Sequence, residues 1–162
     1  MISGELSASL KNLTSLETLD LGNKNLSGTI PPWDGNVFTN LRIINLRTNS
    51  FSDVLPTELL NSSSLQVLDL VENNLTGNIL TNIVGLKAMA QDLKGVYYAE
   101  SLVLNTKCLP QKYTKTLSLV TSIDLFGNNF RGDFLAKLSL LFALTILNLS
   151  RNHINGNIPG SI

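Results

Sequence analysis

Five apolar-x-apolar triplets recur along the chain: Leu19/Leu21, Ile44/Leu46, Leu68/Leu70, Ile123/Leu125 and Leu147/Leu149. Leu19 to Ile44, Ile44 to Leu68 and Ile123 to Leu147 each span one period of about 24 residues. Leu68 to Ile123 spans one such period plus an insertion of roughly 31 residues (55 − 24). A period of this length restricts the fold more than any other property of the sequence, because it marks a chain that stacks similar coils. The neighbouring positions keep the same phase. Each unit reads apolar-x-x-apolar-x-apolar-x-x-Asn-x-apolar-x-Gly-x-apolar-Pro, most fully at Leu144, Leu147, Leu149, Asn152, Ile154, Gly156, Ile158 and Pro159. The third unit has Leu65, Leu68, Leu70, Asn73, Leu75, Gly77 and Ile79, with Leu80 in the Pro position. Residues 2–7 match the tail of a unit, giving five units and a fragment.

Each part of the unit has a physical reading. The alternating triplet is a short strand with one face buried. The apolar residue at every third position that follows, as in Leu10, Leu13 and Leu16, suits a loose turn or a 3₁₀-like coil. One coil cannot bury its own leucines, but stacked coils share a core, and each Leu so buried contributes roughly 1.5–3 kcal/mol. The Asn amide both donates and accepts, so it can satisfy backbone groups where the chain leaves the strand. The Gly allows a backbone conformation or a close approach that a side chain would hinder.

Composition narrows the function. Of 162 residues, 32 are Leu and 19 Asn, and only 15% are charged. That is too apolar for a disordered chain. Twelve basic and twelve acidic residues cancel, leaving no global field to attract nucleic acid or an anionic membrane. No apolar run approaches the roughly 20 residues that span a bilayer. The N-terminus, Met-Ile-Ser-Gly-Glu-Leu, shows no signal-peptide pattern. One Cys (Cys108) excludes an internal disulfide, and one His (His153) excludes a histidine metal cluster. No cofactor is expected.

These motifs resemble the leucine-rich repeat. The tails Leu26-Ser27-Gly28-Thr29-Ile30-Pro31 and Ile154-Asn155-Gly156-Asn157-Ile158-Pro159 are similar to the plant-specific extracellular class, and the likeness covers residues 1–89 and 117–162. Ile30-Pro31-Pro32-Trp33, Asn40-Leu41-Arg42-Ile43-Ile44, Thr121-Ser122-Ile123-Asp124-Leu125 and Leu147-Asn148-Leu149-Ser150-Arg151-Asn152-His153 resemble the late repeats of plant receptor-like proteins of the fungal-xylanase-receptor type. In that family an island interrupts the solenoid. It carries Tyr and an alternating segment before Lys-Gly; here Tyr97, Tyr98 and Ser101 to Lys107 stand there, with Cys108 in the Gly position. The resemblance implies an α/β solenoid, a leucine-rich-repeat coil with one parallel β-sheet on its concave face, interrupted by an island insertion. It also implies a non-enzymatic module on the extracellular side of the plasma membrane, anchored through segments absent from this chain and acting with a partner receptor kinase in defence or development.

The expected organisation is repeats over 1–86 (a partial unit plus three), an insertion over 87–116, and two repeats over 117–162. Within the insertion, Lys87 to Leu93 reads as a short helix ended by Gly95, and Ser101 to Asn105 as a strand. The insertion holds all three tyrosines, Tyr97, Tyr98 and Tyr113, and is locally basic. Tyr offers large contact area at modest entropic cost, so the rings either pack the insertion onto the solenoid or meet a ligand.

Several positions depart from the pattern. Lys24 stands where the unit wants Asn and cannot accept a hydrogen bond, so that rung is expected to be lost unless Asn23 or Asn25 takes it. Asp53 replaces a Gly, and Asp tolerates unusual backbone conformations. Asp34 is expected to turn outward, Leu80 and Leu135 replace Pro, and Ser62 takes an apolar position often filled by Cys in the resembled family. The bare terminal coils read as a piece of an ectodomain or a truncated gene product.

The positions before, within and after each triplet, as in Thr18/Asp20/Gly22 and Ile43/Asn45/Arg47, face the concave side. Their middle column, Asp20, Asn45, Asp69, Asp124 and Asn148, is a polar row. It reads either as a solvated face with cross-strand hydrogen bonds or as a recognition surface. Candidate ligand contacts are Asp20, Asn45, Arg47, Asp69, Val71, Asp124 and Phe126 on this face, with Tyr97 and Tyr98 in the insertion. Arg47 and Phe126 stand out from their columns as long or aromatic, and Glu72 and Arg151 lie one step further on. Aligned aspartates can do acid–base work, but parallel strands make them neighbours anyway, so catalysis is not expected. Sequons at Asn12, Asn25, Asn61, Asn74 and Asn148 are glycan acceptors in a secreted chain. A glycan on Asn148 would block the C-terminal part of the concave face. The expected function is recognition of a peptide, protein or elicitor ligand. The alternatives are a soluble leucine-rich-repeat inhibitor of fungal cell-wall-degrading enzymes, which would run as an uninterrupted solenoid, and a non-functional remnant.

Overall fold

The structure, a computed structural model, describes residues 2–33, 37–78, 83–90, 102–106, 109–113, 120–133, 138 and 140–157. Thirteen strands lie within them. In chain order these are β1 (Ser3–Glu5), β2 (Thr18–Asp20), β3 (Asn25–Thr29), β4 (Ile43–Asn45), β5 (Ser50–Val54), β6 (Val67–Asp69), β7 (Asn74–Thr76), β8 (Leu102–Thr106), β9 (Leu109–Tyr113), β10 (Ser122–Asp124), β11 (Arg131–Asp133), β12 (Ile146–Asn148) and β13 (His153–Asn155). The five triplets supply β2, β4, β6, β10 and β12, which form one parallel sheet in that spatial order. Register is uniform: Leu19 aligns with Ile44, Ile44 with Leu68, Leu68 with Ile123, and Ile123 with Leu147.

β6 and β10 pair directly although the whole insertion separates them in the chain, so the insertion leaves the stack without disturbing it. The coil before it stays in the core. Lys87–Ala90 is a 3₁₀ turn rather than the opening of an α-helix, and its Ala88 and Met89 are buried. In the insertion, β8 and β9 form an antiparallel hairpin, with Leu102 opposite Tyr113 and Thr106 opposite Leu109. The strand expected from Ser101 to Asn105 is present over Leu102–Asn105 and continues to Thr106, while Ser101 lies outside the described residues. Tyr97, Tyr98, Gly95, Cys108, Asp34, Leu80 and Leu135 lie outside the described residues.

A second parallel sheet was not expected from the sequence. β1, β3, β5 and β7 pair in that order, and β11 pairs with β13. These strands come from the Asn-x-apolar-x-Gly segments. Alternation there is cut short by a residue in the left-handed region: Gly28, Asp53, Gly77, Gly132 and Gly156 all have positive φ. Asp53, at φ 73°, adopts the conformation its glycine counterparts use, and its Oδ1 accepts from the Val54 N–H at 2.8 Å. Ridges of 3₁₀ turn (Ala8–Asn12, Leu59–Asn61, Ile83–Gly85) complete the coils; no α-helix occurs among the described residues.

The core runs the length of the stack. Leu41, Ile44, Leu46, Leu65, Leu68, Leu70, Ile123 and Leu125 are fully enclosed, joined by Trp33, Phe38, Phe51 and Phe130. The Trp33 and Phe38 rings meet edge to face with centroids 5.6 Å apart, a favoured aromatic geometry. The buried Trp33 Nε1 and Ser62 Oγ have no hydrogen-bond partner among the described residues.

The asparagines bind each coil to the one before it. Asn73 Nδ2 donates to the Leu46, Leu70 and Val71 carbonyls, while its Oδ1 accepts from Phe51 N–H at 3.0 Å. Asn49, Asn128 and Asn152 repeat the pattern, their Oδ1 atoms accepting from Leu26, Leu75 and Phe130 N–H. Asn128 bridges to Leu70 across the insertion at 2.8 Å. Lys24 makes no such bond among the described residues, and Asn23 is exposed rather than filling the gap.

Candidate functional site

The concave sheet presents three columns of side chains. The middle one, Asp20, Asn45, Asp69, Asp124 and Asn148, has a structural duty in every coil. Each Oδ1 accepts the backbone N–H two residues on, at Gly22, Arg47, Val71, Phe126 and Ser150, all at 3.2 Å. Asp or Asn is what this position demands, because only a short side chain with a terminal oxygen closes that local turn where the strand ends. Asn45 also donates to Asp20 Oδ1 at 3.0 Å.

This face is not the evenly solvated surface that alternation suggested. Asn45, Arg47, Asp69, Val71 and Asp124 are buried, while Asp20 is exposed and Phe126 and Asn148 are half-buried. The first column explains part of this: Ile43, Val67 and Ile146 form their own small apolar cluster with Val120, separate from the main core. Val120 is the described residue nearest the insertion's return to the sheet, so apolar cover on the concave side belongs to the segment leading into β10.

Burial makes the electrostatics local. Arg47 Nη1 meets Asp69 Oδ2 at 3.0 Å, one coil away, with both side chains nearly enclosed. Desolvation raises the Asp69 pKa to about 6, even against the lowering effects of Arg47 and the Val71 N–H. Asp124 is raised too, first by desolvation, with the Phe126 N–H, Arg47 and Asn148 opposing. Each of these carboxylates is engaged in a cap or an ion pair.

Beyond the strand ends runs a column that sequence reasoning only touched. Asn23, Thr48, Glu72, Gly127 and Arg151 occupy the position before the ladder site, and all five have positive φ, from 50° at Thr48 to 69° at Gly127. Gly127, and more weakly Asn23, signal that conformation by residue type. The left-handed turn points the four side chains away from the core. Thr48 Oγ1 donates to Glu72 Oε2 at 3.3 Å. The Arg151 guanidinium lies 5.0 Å from the Phe126 ring centroid, a cation–π contact. Asn23, Thr48 and Glu72 wall a pocket with Arg47, Val71, Asp124, Phe126 and Asn148. Of the concave candidates, the structure therefore brings Arg47, Val71, Asp124 and Phe126 together, whereas Asp20, Asn45 and Asp69 do not line the pocket. Glu72, Thr48 and Asn23 join it.

The sequons Asn12, Asn25, Asn61 and Asn74 are exposed; Asn148 is half-buried at the pocket wall. No helix among the described residues is long and apolar enough to cross a membrane, and no described group of three His, Cys, Asp or Glu side chains could hold a metal ion.

Stacked parallel coils, an asparagine ladder and a recessed concave face define a leucine-rich-repeat solenoid. The Leucine Rich Repeat family profile matches residues 15–37, 64–86 and 143–162. The chain carries this repeat, and the curated proteins it resembles are plant receptor-like proteins. It is 30% identical over 167 residues to Receptor-like protein 35 of Arabidopsis thaliana, covering 90% of this chain and 16% of that protein. Among solved structures, it superposes on the ectodomain of the Arabidopsis thaliana membrane receptor kinase GASSHO1/SCHENGEN3, in complex with CASPARIAN STRIP INTEGRITY FACTOR 2 (TM-score 0.73, 32% identity, 98% of this chain, 15% of that one). It also matches the Arabidopsis receptor kinase HAESA in complex with the peptide hormone IDA and the co-receptor SERK1 (TM-score 0.70, 27% identity, 97% of this chain, 21% of that one). The chain thus spans about a fifth or less of each of these three proteins. These likenesses are to plant receptor-like proteins and to a receptor-kinase ectodomain.

Proposed function

We propose that this segment forms part of the extracellular ligand-recognition surface of a plant plasma-membrane receptor-like protein, and that the whole protein signals through a partner receptor kinase. The observation that supports this most strongly is the unbroken concave sheet, in register across the insertion, in a chain related over nine-tenths of its length to receptor-like proteins. The ligand is a peptide or protein lying across the coils, contacting Arg47, Val71, Asp124 and Phe126, with Tyr97 and Tyr98 of the insertion as additional contacts. The middle-column residues Asp20, Asn45 and Asp69 act mainly by holding the strand ends. HAESA, which was solved with a peptide hormone and a co-receptor, offers the precedent for both partners. Glycans at Asn12, Asn25, Asn61 and Asn74 would leave the concave face open, and one at Asn148 would enter the pocket.

The test is binding of secreted peptide fractions to an ectodomain containing this segment. Phe126→Ala and Arg47→Ala are expected to weaken binding, and Glu58→Ala, an exposed residue beside a 3₁₀ turn, to leave it unchanged. Equal binding by all three would remove the concave face from recognition. The reading of a soluble inhibitor of fungal enzymes gains no support from the solved matches above, which are receptor ectodomains.

A further inference from the structure

The pocket on the concave face has an unbalanced charge. Arg47 lines it, but its guanidinium is committed to the buried Asp69 at 3.0 Å. Two other carboxyl groups reach the same wall. Asp124 is more than nine-tenths buried, and its partners are neutral donors, the Phe126 N–H at 3.2 Å and the Asn148 side chain. Glu72 is exposed and accepts from the Thr48 hydroxyl. Neither forms an ion pair among the described residues. Arg151, outside the pocket lining, lies 5.0 Å from the Phe126 ring centroid. Among the residues that line the pocket, Glu72 and Asp124 therefore stand against Arg47 alone, and Arg47 is paired with Asp69.

A buried carboxylate hydrogen-bonded only by neutral donors, with Arg47 acting on it while paired elsewhere, is incompletely compensated, since burial penalises its charge and a further cation would offset it. An anionic ligand would meet the opposite situation. It would face Glu72 and Asp124, and could reach Arg47 only by stripping it from Asp69 and leaving that carboxylate buried without a partner. The half-buried Phe126 adds an apolar wall suited to a carbon stem.

The geometry points to this pocket as the seat of a positively charged side chain, a lysine or arginine of an extended peptide, with its head between Glu72 and Asp124 and its stem on Phe126. This rests on the reading of the concave face as a peptide-binding surface, and it names the chemistry that surface selects.

The experiment compares three short peptides, acetyl-Gly-Gly-X-Gly-Gly-amide with X as lysine, norleucine or glutamate, titrated against the folded chain by NMR. A bacterial host keeps Asn148 free of glycan. The lysine peptide is expected to shift the Phe126 ring resonances and to bind about tenfold more tightly than the norleucine peptide, with affinity falling as salt rises. Glu72→Gln and Asp124→Asn should each remove most of that preference. Asp124→Asn keeps the oxygen that caps the Phe126 N–H, and Glu72→Gln alters an exposed residue, so both should fold with an unchanged circular dichroism spectrum. Equal or tighter binding of the norleucine or glutamate peptide would overturn the inference while leaving the concave-face reading intact. If no peptide moves any concave-face resonance, both fall.

Discussion

At the scale of single residues, the two clearest determinants are amides and carboxylates held by backbone groups. Each ladder Asn makes a set of bonds that no other residue type can reproduce in that space. Asn73→Ala orphans buried carbonyls and the Phe51 N–H, and is expected to cost about 2–4 kcal/mol. Lys24→Asn should do the reverse and add about 1 kcal/mol by restoring a rung. Chemical denaturation of both variants checks the pair. Asp69 makes a separate prediction. Its pKa, about 6 in the fold against an ordinary value of 3.8, means the folded state binds more protons than the unfolded state between those values. Stability therefore rises as pH falls from about 7 to 4, by up to roughly 3 kcal/mol from this group. Asp124 acts in the same direction. Asp69→Asn should flatten most of that slope in melting curves taken across this range. An unchanged slope would show that Asp69 ionises normally in the fold.

At the scale of elements, each triplet's contribution depends on having a coil on both sides. Leu68 is fully enclosed between neighbours, whereas Leu147, at the same repeat position in the last coil, remains 36% exposed. Leu68→Ala should cost about 2–5 kcal/mol and Leu147→Ala less than half as much, measured by urea denaturation. The concave sheet was legible in the sequence because its leucines alternate and recur in phase. The second sheet was not, because Gly28, Gly77 and Gly132 interrupt alternation just where pairing occurs, and glycine near an apolar residue reads as a turn. The Arg47–Asp69 pair was hidden for a different reason. The repeat fixes which backbones are neighbours, but not that an arginine at a strand end reaches back toward the middle column of the next coil. The left-handed column was invisible because Asn23, Thr48, Glu72 and Arg151 share a conformation but no chemistry.

For the whole molecule, stability is close to a sum over coils and their interfaces. The insertion lies outside that sum. Removing residues 90–120 joins Met89 to Thr121 and brings Leu68 and Ile123 to the same separation (55 − 31) as the leading residues of the other units. The shortened chain is expected to keep its β-rich circular dichroism spectrum and to melt within several degrees of the parent. Collapse on excision would mean that the cluster of Ile43, Val67, Val120 and Ile146 holds the sheet together rather than resting on it.

The uniform register of β2, β4, β6, β10 and β12 sets a ruler. Adjacent strands lie about 4.8 Å apart, while an extended peptide crossing them repeats its same-side residues every ~6.7 Å. The two scales drift out of step and coincide only about every third coil, like a vernier. A visitor lying across this surface can thus engage it closely at only one or two places, and the rest of its length must be content with passing by.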